Sequence, residues 1–223
     1  MRIWLALGSV LLLAGCSATP QALPTAPPPA PFTVSSPVMT IGDSIMNGYG
    51  LDPDQDWPTL LAQENGWQLT NLACDGAGFL TIGASDECDD TFRALVTSAI
   101  KRKPSTIIIE GSSNDFGQAA GALRDETVHE LADLHTALPG AHIIGLSTIW
   151  NERSDIPDEI AEIDADVKTA VTNVGGTFVD LGQPLLGHPE WMQKDDVHPT
   201  AAGQRALAAA IGAAMTKAGI SLR

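Results

Sequence analysis

From Val38 onward, short apolar runs alternate with segments whose apolar residues recur every three or four positions. The runs at 38–42, 68–73, 105–110, 142–149 and 176–181 have the length of strands. Within them, Ile107-Ile108-Ile109 reads as a strand buried on both faces. The segments between carry one-sided stripes: Trp57, Leu60 and Leu61; Phe92, Leu95, Val96, Ala99 and Ile100; Leu123, Leu131, Leu134 and Leu138. Ile160, Ile163, Val167, Ala170 and Val174 make a fourth, and Leu207, Ala210, Ile211 and Ala214 a fifth. Asn65-Gly66, Pro104 and Pro139-Gly140 read as stops, and Pro199, a favoured first-turn residue, as the start of the last helix. Five strands alternating with five helices predict an α/β fold: a three-layer α/β/α sandwich around a five-stranded parallel sheet. In such sheets the site lies at the carboxyl ends of the strands.

The chain carries 27 acidic and 12 basic residues, a net charge of −15. That balance argues against a nucleic-acid partner, which needs clustered Lys and Arg. The one basic cluster, Lys101-Arg102-Lys103, sits where a helix should end and complements its dipole. Ahead of the domain, Met1-Arg2 and an uncharged run over residues 3–14 have the form of a signal peptide, too short to span a bilayer. Leu13-Ala14-Gly15-Cys16 is similar to the bacterial lipobox, which implies cleavage after residue 15 and lipidation of Cys16. Residues 17–37 hold seven of the 15 prolines and no charge, the composition of an extended tether. The expected division is therefore a signal peptide over 1–15, a lipidated Cys and tether over 16–37, and a domain over 38–223. The expected location is the bacterial cell envelope, lipid-anchored on the outer face of the membrane.

Three polar motifs fall at strand ends. The first strand closes on Ile41-Gly42-Asp43-Ser44, which points a hydroxyl into the crevice beside a helix N-terminus. The third closes on Gly111-Ser112-Ser113-Asn114-Asp115, where Asn114 can serve as a fixed donor. The loop before the last helix reads Asp195-Asp196-Val197-His198-Pro199. A tight turn there brings a carboxylate, Asp195 or its neighbour Asp196, against the ring and fixes its tautomer, as a general base for a Ser hydroxyl requires.

In these blocks the chain resembles the SGNH, or GDSL-type, hydrolases, over the whole domain. Gly42-Asp43-Ser44-Ile45 is similar to the first block, with Ile where Leu is usual, and Asn71-Leu72-Ala73-Cys74-Asp75-Gly76 to the second. Asn114 matches the third, and Asp195 with His198 the Asp-x-x-His-Pro block. The resemblance implies the flavodoxin-like SGNH hydrolase fold, with Ser44 as nucleophile, His198 as general base and acid, and Asp195 as orienting carboxylate. It also implies an oxyanion hole from Ser44 N–H, Gly76 N–H and the Asn114 amide. One departure is Ser112, where the family often has Gly two residues before the Asn.

Cys74 and Cys88, the cysteines that remain after lipidation of an exported chain, are expected to form a disulfide that braces the loop carrying Gly76. Its closed loop of ~15 residues would contribute roughly 3 kcal/mol on the chain-entropy model. No metal is expected, because two Cys and scattered His residues lack ligand spacing. No other cofactor is expected, since Gly76-Ala77-Gly78 lacks the Lys and Ser/Thr of a phosphate loop. His129, His135 and His142 read as solvated or structural. Phe79, Phe116, Trp150 and Trp191 read as loop aromatics near the site, packing more than binding. The absence of a long lid-like insertion favours small acyl groups on a soluble or cell-wall alcohol, such as acetyl esters of a glycan. The expected enzyme is a monomeric serine esterase acting on acyl esters. An acyltransferase using a sugar acceptor and a non-catalytic glycan- or ester-binding lipoprotein are the alternatives.

Overall fold

The structure, a computed structural model, describes residues 31–223. The expected signal peptide, Cys16 and the tether up to residue 30 lie outside the described residues. Seven strands and six helices follow in the order β1 (Phe32–Thr33), β2 (Val38–Ile41), α1 (Ser44–Asn47), α2 (Trp57–Asn65), β3 (Leu69–Asn71) and α3 (Phe92–Arg102). Then come β4 (Thr106–Glu110), α4 (Ala120–Ala137), β5 (His142–Leu146), α5 (Asp158–Asn173), β6 (Thr177–Val179), α6 (Ala201–Lys217) and β7 (Ile220–Ser221).

Five strands form one parallel sheet in the order β3-β2-β4-β5-β6. Strand side chains alternate in direction, so the isoleucine run of β4 divides. Ile107 and Ile109 join α3, α4 and α5 on one face, while Ile108 joins Trp57, Leu61, Leu207 and Ile211 on the other. Burying apolar side chains on both sheet faces is what commits the alternating pattern to three layers. The expected α/β/α sandwich is the observed one.

The ends of the elements follow their local chemistry. The Asp56 carboxylate accepts the Thr59 N–H at 2.9 Å to cap α2, which stops at Gly66 with φ 72°. Thr91 caps α3, whose last turn carries Lys101 and Arg102. β3 and β6 are shorter than the runs at 68–73 and 176–181, and two further ends differ for a local reason. α6 begins at Ala201 rather than Pro199, because the Thr200 hydroxyl accepts the Gly203 N–H as its cap and Pro199 bridges to Met192. β5 stops at Leu146 rather than residue 149: its partner β6 ends opposite, at Val179, and the ladder has nothing further to pair.

The folded unit also starts earlier than Val38. β1 pairs in parallel with β7, and the Val34 N–H donates to Ser221 O at 2.8 Å. Val34 is buried, the Phe32 ring stacks on His142 at 4.1 Å, and Thr106 Oγ1 accepts the Ser35 N–H at 3.1 Å. Residues 32–37 therefore belong to the domain and not to a free tether. Truncation to Val38 is expected to cost about 3 kcal/mol, the sum of one buried Val, one aromatic stack and a few hydrogen bonds. For a domain of this size that lowers the melting temperature by about 6–12 °C, measurable by thermal denaturation.

One buried group makes stability depend on pH. Glu130 of α4 is fully buried and its carboxyl oxygens have no hydrogen-bond partner. Burial, with the Glu126 carboxylate nearby, pushes its pKa up to about 9. The native state thus holds a proton that the unfolded chain releases near pH 4, so this group's contribution is complete below that pH and falls as pH rises towards 9. Glu130→Gln is expected to gain stability over wild type by up to about 1.4 kcal/mol per pH unit across that window. Denaturation midpoints of both proteins at pH 5 and pH 8 check it.

Candidate active site

The carboxyl ends of β2 and β4, the loop after β3 and the loop before α6 converge on one cleft of about 340 Å³. Ser44, Gly76, Asn114 and His198 all line it. Ser44 is the first residue of α1, a helix of four residues capped by the Asp43 carboxylate on the Ile45 N–H at 2.9 Å. A short helix immediately after the strand end turns the hydroxyl out of the sheet. The Ser44 Oγ lies 3.0 Å from His198 Nε2, and His198 Nδ1 lies 2.8 Å from Asp195 Oδ2.

The turn that brings Asp195 to the ring is built by Asp195 itself. Its Oδ1 accepts the N–H groups of Val197 at 3.1 Å and His198 at 3.0 Å, leaving Oδ2 for the imidazole. These backbone donors and the ring hold the carboxyl down to about 2. A carboxylate ionised at neutral pH only accepts, so Nδ1 carries the proton and Nε2 is free to accept from Ser44. Asp196 occupies the left-handed corner of the turn at φ 55°. Between the two candidate carboxylates, Asp195 is the one on the ring.

The donors opposite are fixed by a network under the loops. The Asn114 amide donates to Ala77 O at 3.0 Å with one N–H, which ties it to the loop holding Gly76, where φ is 73°. Ser112, at the position where Gly is usual, accepts the Asn114 N–H at 3.1 Å. Its hydroxyl lies 2.6 Å from Asp43 Oδ2 and 2.9 Å from Ala77 O. The departure thus joins the turn of Ser44 to the turn of Asn114. Burial pushes Asp43 up. It pushes the neighbouring Glu110 well above the carboxylate range, with the Asp43 charge adding to the effect. Asp115 accepts from the N–H groups of Phe79, Leu80 and Thr81 at 2.7–3.1 Å and fixes the loop between Gly76 and the disulfide. Cys74 and Cys88 are bonded, as expected.

Several residues at the site escaped the sequence reading. Tyr49 tilts over the His198 ring at 4.3 Å between centroids, and with Ile82 and Val197 it lines the cleft. Gln204, wholly buried, accepts the Trp57 N–H at 2.9 Å and donates to Ile45 O at 2.7 Å, locking α6 to α1 and α2. Its position on an otherwise apolar helix face was the available signal. Phe79, one of the four loop aromatics, is buried in the core, and none of the four lines the cleft. Among the described residues no group of three or more His, Cys, Asp or Glu could hold a metal ion.

The sequence model of the GDSL-like lipase/acylhydrolase family matches residues 40–206. The chain belongs to that family. Membership makes it a carboxylic ester hydrolase, and the observed sandwich is the SGNH hydrolase fold. Solved structures share the fold at low identity. Esterase EstA from Pseudoalteromonas sp. superposes with a TM-score of 0.65 at 17% identity, covering 81% of this chain and 96% of that one. A carbohydrate esterase family 2 enzyme from Corynascus (Myceliophthora fergusii) gives 0.58 at 23%, covering 87% and 69%. The salicylyl-acyltransferase SsfX3 of a tetracycline biosynthetic pathway gives 0.64 at 18%, covering 85% and 55%. No curated protein matches the chain in sequence.

Proposed function

We propose that this GDSL-family hydrolase is a lipid-anchored, extracytoplasmic serine esterase that cleaves short-chain acyl esters with Ser44, His198 and Asp195. The observation that carries the reading is the unbroken chain of contacts from Asp195 through His198 to Ser44 at the mouth of one cleft. His198 takes the Ser44 proton as the hydroxyl attacks the ester carbonyl. Ser44 N–H, Gly76 N–H and the free Asn114 amide proton receive the oxyanion; one such donor is typically worth ~10²–10³ in turnover. His198 then returns the proton to the departing alcohol, and water, activated by the same ring, releases the acid. An acylated glycan suits this reading, since the same fold serves a carbohydrate esterase.

The lipobox at Cys16 and the uncharged segment after it support the anchor and the envelope location. The chain acts as a monomer in this reading. Transfer of the acyl group to a sugar hydroxyl is the competing reaction, and the acyltransferase among the structural neighbours gives it weight.

Initial rates on para-nitrophenyl esters, with and without an added sugar acceptor, test the chemistry. Free acid as the dominant product is expected; predominantly acylated acceptor would make the chain a transferase. Fluorophosphonate should label the wild type and not Ser44→Ala. Mass spectrometry of the mature protein should find an acylated Cys16, and an unmodified cysteine ends the anchor proposal.

A further inference from the structure

Apolar exposure on this domain is concentrated at the cleft. Five large apolar side chains are exposed among the described residues: Tyr49, Ile82, Phe116, Leu186 and Val197. Three of them, Tyr49, Ile82 and Val197, line the cleft that holds Ser44. Clustered exposed apolar side chains beside a few convergent polar groups are the mark of a site that binds apolar surface.

The chemistry divides that rim. His198 must serve first the Ser44 hydroxyl and then the departing oxygen, so the alcohol portion lies beside the imidazole. Tyr49, tilted over the ring, and Val197, its chain neighbour, are on that side. The acyl portion takes the remaining wall, Ile82, Gly83 and Ala84, which lies against the Gly76 loop, since a Cβ on Gly76 would sit 3.8 Å from Ala84 N. We infer that this wall, led by Ile82, is the acyl-binding surface and selects uncharged apolar acyl groups longer than acetyl. The inference rests on the esterase reading above.

Ile82 is 65% exposed, yet its loop is firmly held. The Ala84 N–H donates to Asp75 O at 2.7 Å and the Gly83 N–H to Asp90 O at 2.9 Å. Gly83 packs on the disulfide so closely that a Cβ there would sit 2.7 Å from both sulfurs. A braced loop thus presents an apolar side chain to solvent, an arrangement that folding alone does not favour. Charge points the same way. No Lys or Arg lines the cleft, and its one acidic residue, Asp75, accepts the Asn47 amide N–H at 2.9 Å. An acyl group carrying a carboxylate would find no cation there and would meet a chain of net charge −15.

The test measures kcat/KM on para-nitrophenyl acetate, butyrate and octanoate, then on butyrate esters of alcohols of increasing size. Wild type is expected to prefer butyrate over acetate. Ile82→Asp is expected to lower the octanoate-to-acetate ratio at least about tenfold, the scale of discrimination that apolar contacts provide. Ile82→Ala should lower it less. Leu186→Asp, an exposed apolar position that does not line the cleft, should leave the ratio as it is. An unchanged ratio in Ile82→Asp, with Ser44→Ala still inactive, overturns the inference and leaves the esterase standing. A change confined to the alcohol series reverses the two sides and overturns it too. No turnover by wild type on any ester removes the esterase reading and this inference together.

Discussion

Ser44→Ala is expected to lower kcat by about a million-fold, the scale seen when a serine nucleophile is removed from a hydrogen-bonded triad. The substitution deletes one hydroxyl whose partner is His198 Nε2. The helix that starts at Ser44 keeps its cap, because Asp43 supplies it. The variant should therefore fold with an unchanged melting temperature, and rates on a soluble ester would isolate the chemistry. A folded Ala variant with more than ~1% of wild-type turnover would remove Ser44 from the mechanism.

Asp195→Asn is expected to cost about 10⁴ in kcat with little change in KM. The asparagine oxygen can still accept the N–H groups of Val197 and His198, which leaves its NH₂ facing Nδ1. That amide donates where the carboxylate accepted, so the imidazole is driven to the tautomer with its proton on Nε2. The ring then faces Ser44 with a donor and cannot take the hydroxyl proton. The Asp195 pKa of about 2 keeps its carboxylate charged throughout ordinary assay conditions. A group lowered in the folded state stabilises above the usual carboxylate range and loses that contribution only as pH falls towards 2.

The parts of the molecule written in local pattern were legible before the structure. Ile107-Ile108-Ile109 announced a strand buried on both faces, and the stripe from Phe92 to Ile100 announced α3, because strand and helix periods are local properties. Ser44 and Asn114 were legible because each sits in a short motif at a strand end, and His198 because it sits in one just before the last helix. The choice between Asp195 and Asp196 was not, since it depends on which residue takes the left-handed corner of one turn. The pairing of β1 with β7 joins two-residue strands 188 positions apart in sequence, too short to show a period. Tyr49 and Ile82 carry no motif at all, and Val197 is an unspecified position within one. Their meaning comes from sharing one cleft, which only the folded chain defines.

The clasp between β1 and β7 fixes how the enzyme can be held. α6 starts beside His198 and runs 17 residues, about 25 Å, to the end where β7 meets β1. His142, on which Phe32 stacks, opens β5 at the amino edge of the same sheet. Phe32 and Arg223 therefore lie on the side opposite the catalytic mouth. Protein immobilised on a bead or chip through residues ahead of Phe32 would face its cleft outward into the liquid, and a purification handle after Arg223 would leave that opening unobstructed.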